Sequence, residues 1–79
     1  MPYTEEACKN AAEKIGLQLG TSRTPFVGKH SEVGCYGYSD GYYNGFAFYG
    51  TGGTIEQMQK ALAGSKFRPD GYDCDIKGK

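Results

Sequence analysis

One stretch, VGCYGYSDGYYNGFAFYG at positions 33–50, constrains the fold of this chain more than any other part of it. Its aromatic residues alternate with glycine and other small residues, a pattern typical of half-buried β-strands. Asp40-Gly41, near its centre, is a preferred dipeptide for the two-residue turn of a β-hairpin. The stretch therefore predicts an antiparallel hairpin with strands at residues 33–39 and 42–49.

A two-residue turn also predicts which side chains share a face of the hairpin, because it pairs Tyr38 with Tyr43. We expect Val33, Cys35, Phe46 and Phe48 to form the face that packs on the core. Tyrosine suits a half-wet surface, since its ring is apolar and its hydroxyl needs a hydrogen-bond partner. We therefore expect an exposed tyrosine face on the other side, formed by Tyr36, Tyr38, Tyr43 and Tyr49 together with Ala47.

A helix is indicated on each side of the hairpin. Thr4 is a suitable N-cap, and an apolar stripe that includes Cys8 and Ala12 predicts a helix over about residues 5–15. The sequence TIEQ, beginning at Thr54, matches a capping box and predicts a second helix over about residues 54–63.

The order of these elements predicts an α+β fold. One further strand before the hairpin, in the short apolar segments around Leu19 and Val27, and a last strand around Phe67 would give a small antiparallel sheet of three to four strands. We expect both helices to pack on the phenylalanine-containing face of that sheet. The chain has 79 residues, so we expect one domain at residues 1–70, followed by a polar tail at residues 71–79.

The chain has three cysteines, and they form neither a C-x-x-C pair nor a Cys/His cluster, so we expect no metal site. A domain of this size has a marginal core and benefits from a disulfide. Cys8 on the helix stripe and Cys35 on the core face of the sheet would meet between the two layers. We therefore predict the disulfide Cys8–Cys35, which favours an oxidising or extracytoplasmic compartment.

Charge and motifs argue against several classes of function. Nine basic and nine acidic residues give a formal net charge of zero, which provides no long-range attraction to nucleic acid. The segment NGFAFYG is similar to the aromatic strand of RNA-recognition domains but lacks its basic residue. The loop GTGGT lacks the lysine of a phosphate-binding loop, so we expect no nucleotide cofactor. The sequence contains no apolar run long enough to span a membrane.

Catalysis finds little support in the sequence. His30, the only histidine, lies in a polar stretch where we expect it to be solvated. A thiol-redox role for Cys35 or Cys74 is a less favoured alternative, because no spacing brings either of them to the histidine. We therefore expect a protein that is not an enzyme.

The predicted tyrosine face carries most of the functional content of the sequence. Tyrosine offers a large contact area at a low cost in conformational entropy, which suits protein contacts and stacking on sugar rings. We expect a non-enzymatic interaction module, or a structural accessory subunit, that binds a protein partner or a second copy of itself. The alternative is a carbohydrate-binding module that uses the same face.

Two segments, ACKNAAEKIGL and GCYGYSDGYYNGFAFYGTGGT, together resemble small Gly/Tyr-rich, Cys-containing modules that occur, sometimes repeated, in algal proteins. The resemblance covers most of the chain. It implies no particular activity and no catalytic residue.

Overall fold

The computed structural model of the chain describes residues 4–71, which form an α+β domain. In chain order its elements are α1 (Glu5–Lys14), β1 (Gln18–Leu19), β2 (Val27–Gly28), β3 (Gly34–Tyr38), β4 (Phe46–Gly50), α2 (Ile55–Met58) and β5 (Lys66–Phe67). The predicted fold class is therefore confirmed. All of the predicted polar tail except Gly71 lies outside the described residues.

The strands form one mixed sheet with β4 at its centre. β3 pairs with β4 and β5 pairs with β3, both antiparallel. β1 and β2 both run parallel to β4, one after the other along its second edge. The prediction of a wholly antiparallel sheet is therefore wrong. β1 already runs parallel to β4, and the loop after it brings β2 to the same edge of β4 in the same orientation as β1.

The register of the central hairpin differs from the predicted one. Cys35 lies opposite Tyr49, three residues further along β4 than the predicted partner Phe46. Residues 39–45 form the connection, and within it the Ser39 amide donates to the Ser65 carbonyl at 2.8 Å instead of pairing with Tyr42. An odd shift of register exchanges the two faces of a strand. The predicted assignment of the β4 side chains to the two faces is therefore wrong.

Helix packing explains the observed register. Cys8 and Ala12 of α1 are fully buried, and α1 contacts both β3 and β4. The sheet face that includes Cys35 also carries the small residues Gly37 and Ala47, which lie opposite each other. A side chain at Gly37 would crowd its neighbours, because its Cβ would lie 3.0 Å from the side chain of Leu17, which follows α1, and 3.5 Å from that of Phe67. The predicted register would instead have placed two phenylalanines beneath an alanine-lined helix.

The core of the domain centres on the predicted disulfide, which is confirmed. Cys8 and Cys35 are bonded, their Cα atoms are 5.4 Å apart, and neither residue is exposed. Tyr49 completes this cluster, and Val27 and Met58 are among the residues that pack against it. Residues from both helices therefore contact one core cluster.

The second helix begins as predicted but ends early. Thr54 and Gln57 form the predicted capping box. The helix ends at Met58, however, and not near residue 63. The Arg68 guanidinium donates hydrogen bonds to the carbonyls of Gln57 and Lys60. In a longer helix these carbonyls would accept from the amides of the following turn.

Arg68 is a buried cation that joins three parts of the fold. It follows β5, and only 4% of its surface is exposed. Besides the two carbonyls near the end of α2, its Nη1 atom donates to the carbonyls of Val33 and Cys35, at 2.8 and 2.9 Å. Four hydrogen bonds to backbone oxygens thus connect the residues around α2, β3 and β5.

Replacing both bonded cysteines, in the variant Cys8→Ala/Cys35→Ala, tests the contribution of the disulfide. The two cysteines are 27 residues apart, and closing a loop of this length in the unfolded chain is worth about 3–4 kcal/mol. We expect the free energy of unfolding, measured by denaturant titration, to fall by at least about that amount. A loss below about 1 kcal/mol would contradict this account.

Replacing Arg68 tests the buried guanidinium. In Arg68→Gln, four backbone carbonyls lose a donor, and the one at Cys35 is buried; leaving a buried acceptor unsatisfied costs about 1–3 kcal/mol. We expect the free energy of unfolding, measured by denaturant titration, to fall by at least about 2 kcal/mol in Arg68→Gln. Arg68→Lys should fall between Arg68→Gln and the unchanged chain. The control Lys9→Gln removes an exposed positive charge and should change stability by no more than about 0.5 kcal/mol. Equal effects of Arg68→Gln and the control would disprove the role.

Candidate interaction surface

The four tyrosines predicted to share an exposed face are distributed over both faces of the sheet. Tyr36 lies opposite Phe48 and is 3% exposed, whereas Tyr49 lies on the disulfide side and is 8% exposed. Tyr38 and Tyr43 are half-buried. The prediction of one exposed tyrosine face is therefore wrong for Tyr36 and Tyr49, and the shifted register is the reason.

The sheet face opposite α1 carries an aromatic cluster, formed by His30, Tyr36, Tyr38, Tyr42, Tyr43 and Phe48. Phe48, which is 2% exposed, lies at its centre, with ring centroids 5.7 Å from Tyr36 and 5.6 Å from Tyr43. Most of the ring pairs meet edge to face, the arrangement that aromatic quadrupoles favour. The buried rings of this cluster therefore form a second core, and its rings become more exposed toward residues 39–45.

His30 belongs to this cluster, so the expectation of a solvated histidine is wrong. Its ring centroid lies 5.3 Å from that of Phe48, and its Nε2 atom lies 3.0 Å from the Pro25 carbonyl and 3.2 Å from the Phe26 carbonyl. Because both partners are acceptors, Nε2 carries a proton and donates. His30 thus fixes the segment before β2 over the aromatic cluster.

The loop at residues 39–45 presents Tyr42 to solvent. Its backbone is held by hydrogen bonds from Asn44 to the Gly41 carbonyl and from Gly45 to the Tyr38 carbonyl, both 3.1 Å long. Gly41 has a φ of 85°, a conformation that favours glycine. Tyr42 is 89% exposed, and its ring meets that of Tyr43 edge to face at 5.0 Å. A fixed turn therefore holds an exposed aromatic side chain at the end of the cluster.

Beside this loop lies a groove of about 530 Å³, which we call the aromatic groove. Its walls come from the loop that follows β1 and from the residues that lead into β4. It is lined by Thr21, Ser22, Arg23, Thr24, Tyr42, Tyr43 and Phe46. Its volume lies in the range of pockets that hold small ligands or short peptide segments.

The polar wall of the aromatic groove is a hydrogen-bonded turn. The Thr21 hydroxyl accepts from the amides of Arg23 and Thr24, at 3.1 and 2.9 Å. Arg23 is the only charged residue in the lining, and it is exposed. Within residues 4–71 its guanidinium has no ion pair and no hydrogen bond. The groove therefore combines aromatic rings, hydroxyl groups and one available positive charge.

A second groove, of about 440 Å³, lies along the outer side of α1. Ala7, Ala11 and Ile15 line it together with Asp70, and no aromatic residue contributes. It shares no lining residue with the aromatic groove. Of these two grooves in residues 4–71, only the aromatic groove combines aromatic area with an available charge.

Other site types have no basis in the described residues. Residues 4–71 contain no group of three or more His, Cys, Asp or Glu side chains that could hold a metal ion. In the same range, no helix is long and apolar enough to cross a membrane. No family model matches the chain, and no curated protein or solved structure matches it either.

Sequence reasoning missed the three residues that give the groove its character, namely Arg23, Tyr42 and Phe46. The predicted two-residue turn would have placed Tyr42 in a strand and Phe46 in the core. One sequence signal could have indicated the longer connection, namely the two glycines Gly41 and Gly45, four residues apart. Glycine readily adopts the positive φ angles that reverse a chain, and both residues have such angles in the structure.

Burial or an ion pair raises the pKa of Tyr36, Tyr49 and Lys66, three of the described residues. Burial raises the pKa of Tyr36 above the ordinary tyrosine value, although its hydrogen bond to Ser31 opposes the change. Burial also raises the pKa of Tyr49, and the negative charges of Asp70 and Glu5 add to the effect. A hydrogen-bonded ion pair with Glu32 raises the pKa of Lys66.

These shifts predict a loss of stability at alkaline pH. A group with a raised pKa in the folded state stabilises the fold fully below its unfolded pKa, about 10 for tyrosine and lysine. That contribution disappears as the pH rises through the folded pKa. All three groups act in the same direction, so we expect the free energy of unfolding to fall steadily above pH about 10.

Denaturant titrations across the alkaline range measure this effect, and tyrosinate absorbance reports the ionisation of the buried hydroxyls. Tyr36→Phe removes one of the three titrating groups and should make the alkaline decline shallower. Constant stability up to pH about 11–12 would show that burial does not control these hydroxyls.

Proposed function

We propose that this chain is a non-enzymatic interaction module that binds a protein partner, or a second copy of itself, at the aromatic groove. The observation that carries the proposal is the position of Tyr42. This tyrosine is 89% exposed, yet its ring packs edge to face on Tyr43, at the end of a hydrogen-bonded loop. A large aromatic side chain is thereby offered to solvent in a fixed place.

The energetics of protein interfaces support this function. Tyrosine and arginine are enriched among the residues that contribute most to binding, and Tyr42 and Arg23 line the same groove. A rigid side chain loses little conformational entropy on binding. Tyr38 and Tyr43, which were predicted as binding residues, lie in the aromatic cluster beneath Tyr42 and support it.

The less favoured functions lack an available site among the described residues. The segment similar to an RNA-binding strand places Phe48 in the aromatic cluster, where 2% exposure leaves no face for a base to stack on. Cys35 is fully buried in a disulfide, which argues against a thiol nucleophile at that position. Cys74, the other candidate thiol, lies outside the described residues.

A second candidate function is carbohydrate binding at the same groove. It is favoured by the hydroxyl-bearing residues Thr21, Ser22 and Thr24, which line the same groove as Tyr42 and Tyr43. A sugar ring could stack on tyrosine while the opposite wall hydrogen-bonds its hydroxyls. Saturable quenching of tyrosine fluorescence by an oligosaccharide, lost in Tyr42→Ser, would support this function over protein binding.

The variant Tyr42→Ser tests the leading proposal. Removing an exposed ring leaves the fold intact, and loss of a central interface tyrosine costs about 2 kcal/mol or more, equivalent to roughly thirtyfold in affinity. If the partner is a second copy, we expect self-association, measured by sedimentation, to weaken by that factor. If the partner is another protein, we expect its retention on the immobilised chain to weaken by the same factor.

Ile55→Ser is the matched control, because Ile55 is 54% exposed and does not line the aromatic groove. It should leave association unchanged. If Tyr42→Ser and Ile55→Ser behave like the unchanged chain in both measurements, the groove is not the interaction surface.

A further inference from the structure

We propose that the aromatic groove binds the acidic segment at residues 72–76 of a second copy of this chain, so that copies associate head to tail. This inference rests on the proposed function and names the partner of the same groove. It follows from the charge of the groove, the sequence of the segment and the place where the described chain ends.

The groove is complementary to a partner that carries negative charge and apolar side chains. Arg23 is the only charge in its lining, and within residues 4–71 no carboxylate neutralises it. A guanidinium binds a carboxylate through two parallel hydrogen bonds, which fixes orientation as well as affinity. The rings of Tyr42, Tyr43 and Phe46 lie in the same groove and provide apolar contact area.

The chain itself contains a segment with this chemistry. In the sequence YDCDI, at positions 72–76, Asp73 and Asp75 alternate with Tyr72, Cys74 and Ile76. Alternate residues of an extended chain point to opposite sides. Such a segment could present its carboxylates to Arg23 and its apolar side chains to the tyrosine rings. Its charge and apolar pattern thus complement those of the groove.

The end of the described chain favours a second copy as the source of the segment. Pro69 and Asp70 line the second groove, beside α1, and so the chain leaves the described fold there. The two grooves share no lining residue. A contact between different surfaces of identical chains is heterologous and can propagate into open assemblies. This mode of association suits a structural accessory subunit.

Sedimentation of the full chain, with Cys74→Ala to exclude intermolecular disulfides while keeping an apolar side chain in the segment, tests the inference. We expect the average mass to rise with protein concentration. Arg23→Gln, which alters the groove, and Asp73→Asn/Asp75→Asn, which alters the segment, should each weaken association at least about tenfold, because either change removes a charge-assisted hydrogen bond. Lys9→Gln removes an exposed positive charge from α1 and should have no effect.

Mixing the two variants is the decisive measurement. Each variant alone should associate at least about tenfold more weakly than the unchanged chain, but the pair retains one intact groove and one intact segment. An equimolar mixture should therefore form a 1:1 complex and nothing larger. Charge loss in general, or a contact between identical surfaces, would not produce this behaviour.

Three results would overturn the inference: a concentration-independent monomer, association of Arg23→Gln equal to that of the unchanged chain, or failure of the two variants to pair. The proposed function is judged separately by Tyr42→Ser. If that variant loses binding while Arg23→Gln keeps it, the groove remains the interaction surface but residues 72–76 are not its ligand.

Discussion

The bond between Cys8 and Cys35 fixes α1 against one face of the sheet, because it joins the helix directly to β3. With the two Cα atoms 5.4 Å apart, the face of β3 and β4 beneath the helix includes Gly37 and Ala47. Tyr49 lies on this same face, against the disulfide, whereas Tyr36 and Phe48 alternate with these residues and lie on the opposite face. The sidedness of the whole sheet, and with it the location of the aromatic cluster, depends on this one contact.

The aromatic cluster on the face opposite α1 has a buried part and an exposed part. Its inner rings, around Phe48, are buried and form a rigid support. Its outer end at Tyr42 is exposed because the loop at residues 39–45 projects beyond the sheet. The same residue type thus serves two purposes, filling a core at Tyr36 and offering contact area at Tyr42. Depth within the cluster, and not residue identity, distinguishes the two.

Local signals in the sequence predicted local structure well. The Thr4 cap, the capping box at Thr54 and the cysteine pair depend on residues whose chemistry has few alternatives. The register of the hairpin was not predictable in the same way. Asp40-Gly41 fits a two-residue turn, but the packing of the Cys35 face against α1, Leu17 and Phe67 outweighs that local preference. Arg68 was missed because the carbonyls that bind it are distant in sequence and become neighbours only in the folded chain.

The position of β4 also bears on how this chain avoids aggregation. Its sequence FAFYG is apolar, aromatic and uncharged, a composition that favours uncontrolled strand pairing between molecules. In the folded domain β4 is paired along both edges, while the strands β1, β2 and β5 that flank the central hairpin are each two residues long. Such short strands are poor templates for adding another chain. The fold therefore keeps its most aggregation-prone segment at the centre of the sheet, where both of its edges are paired and another chain cannot add to it.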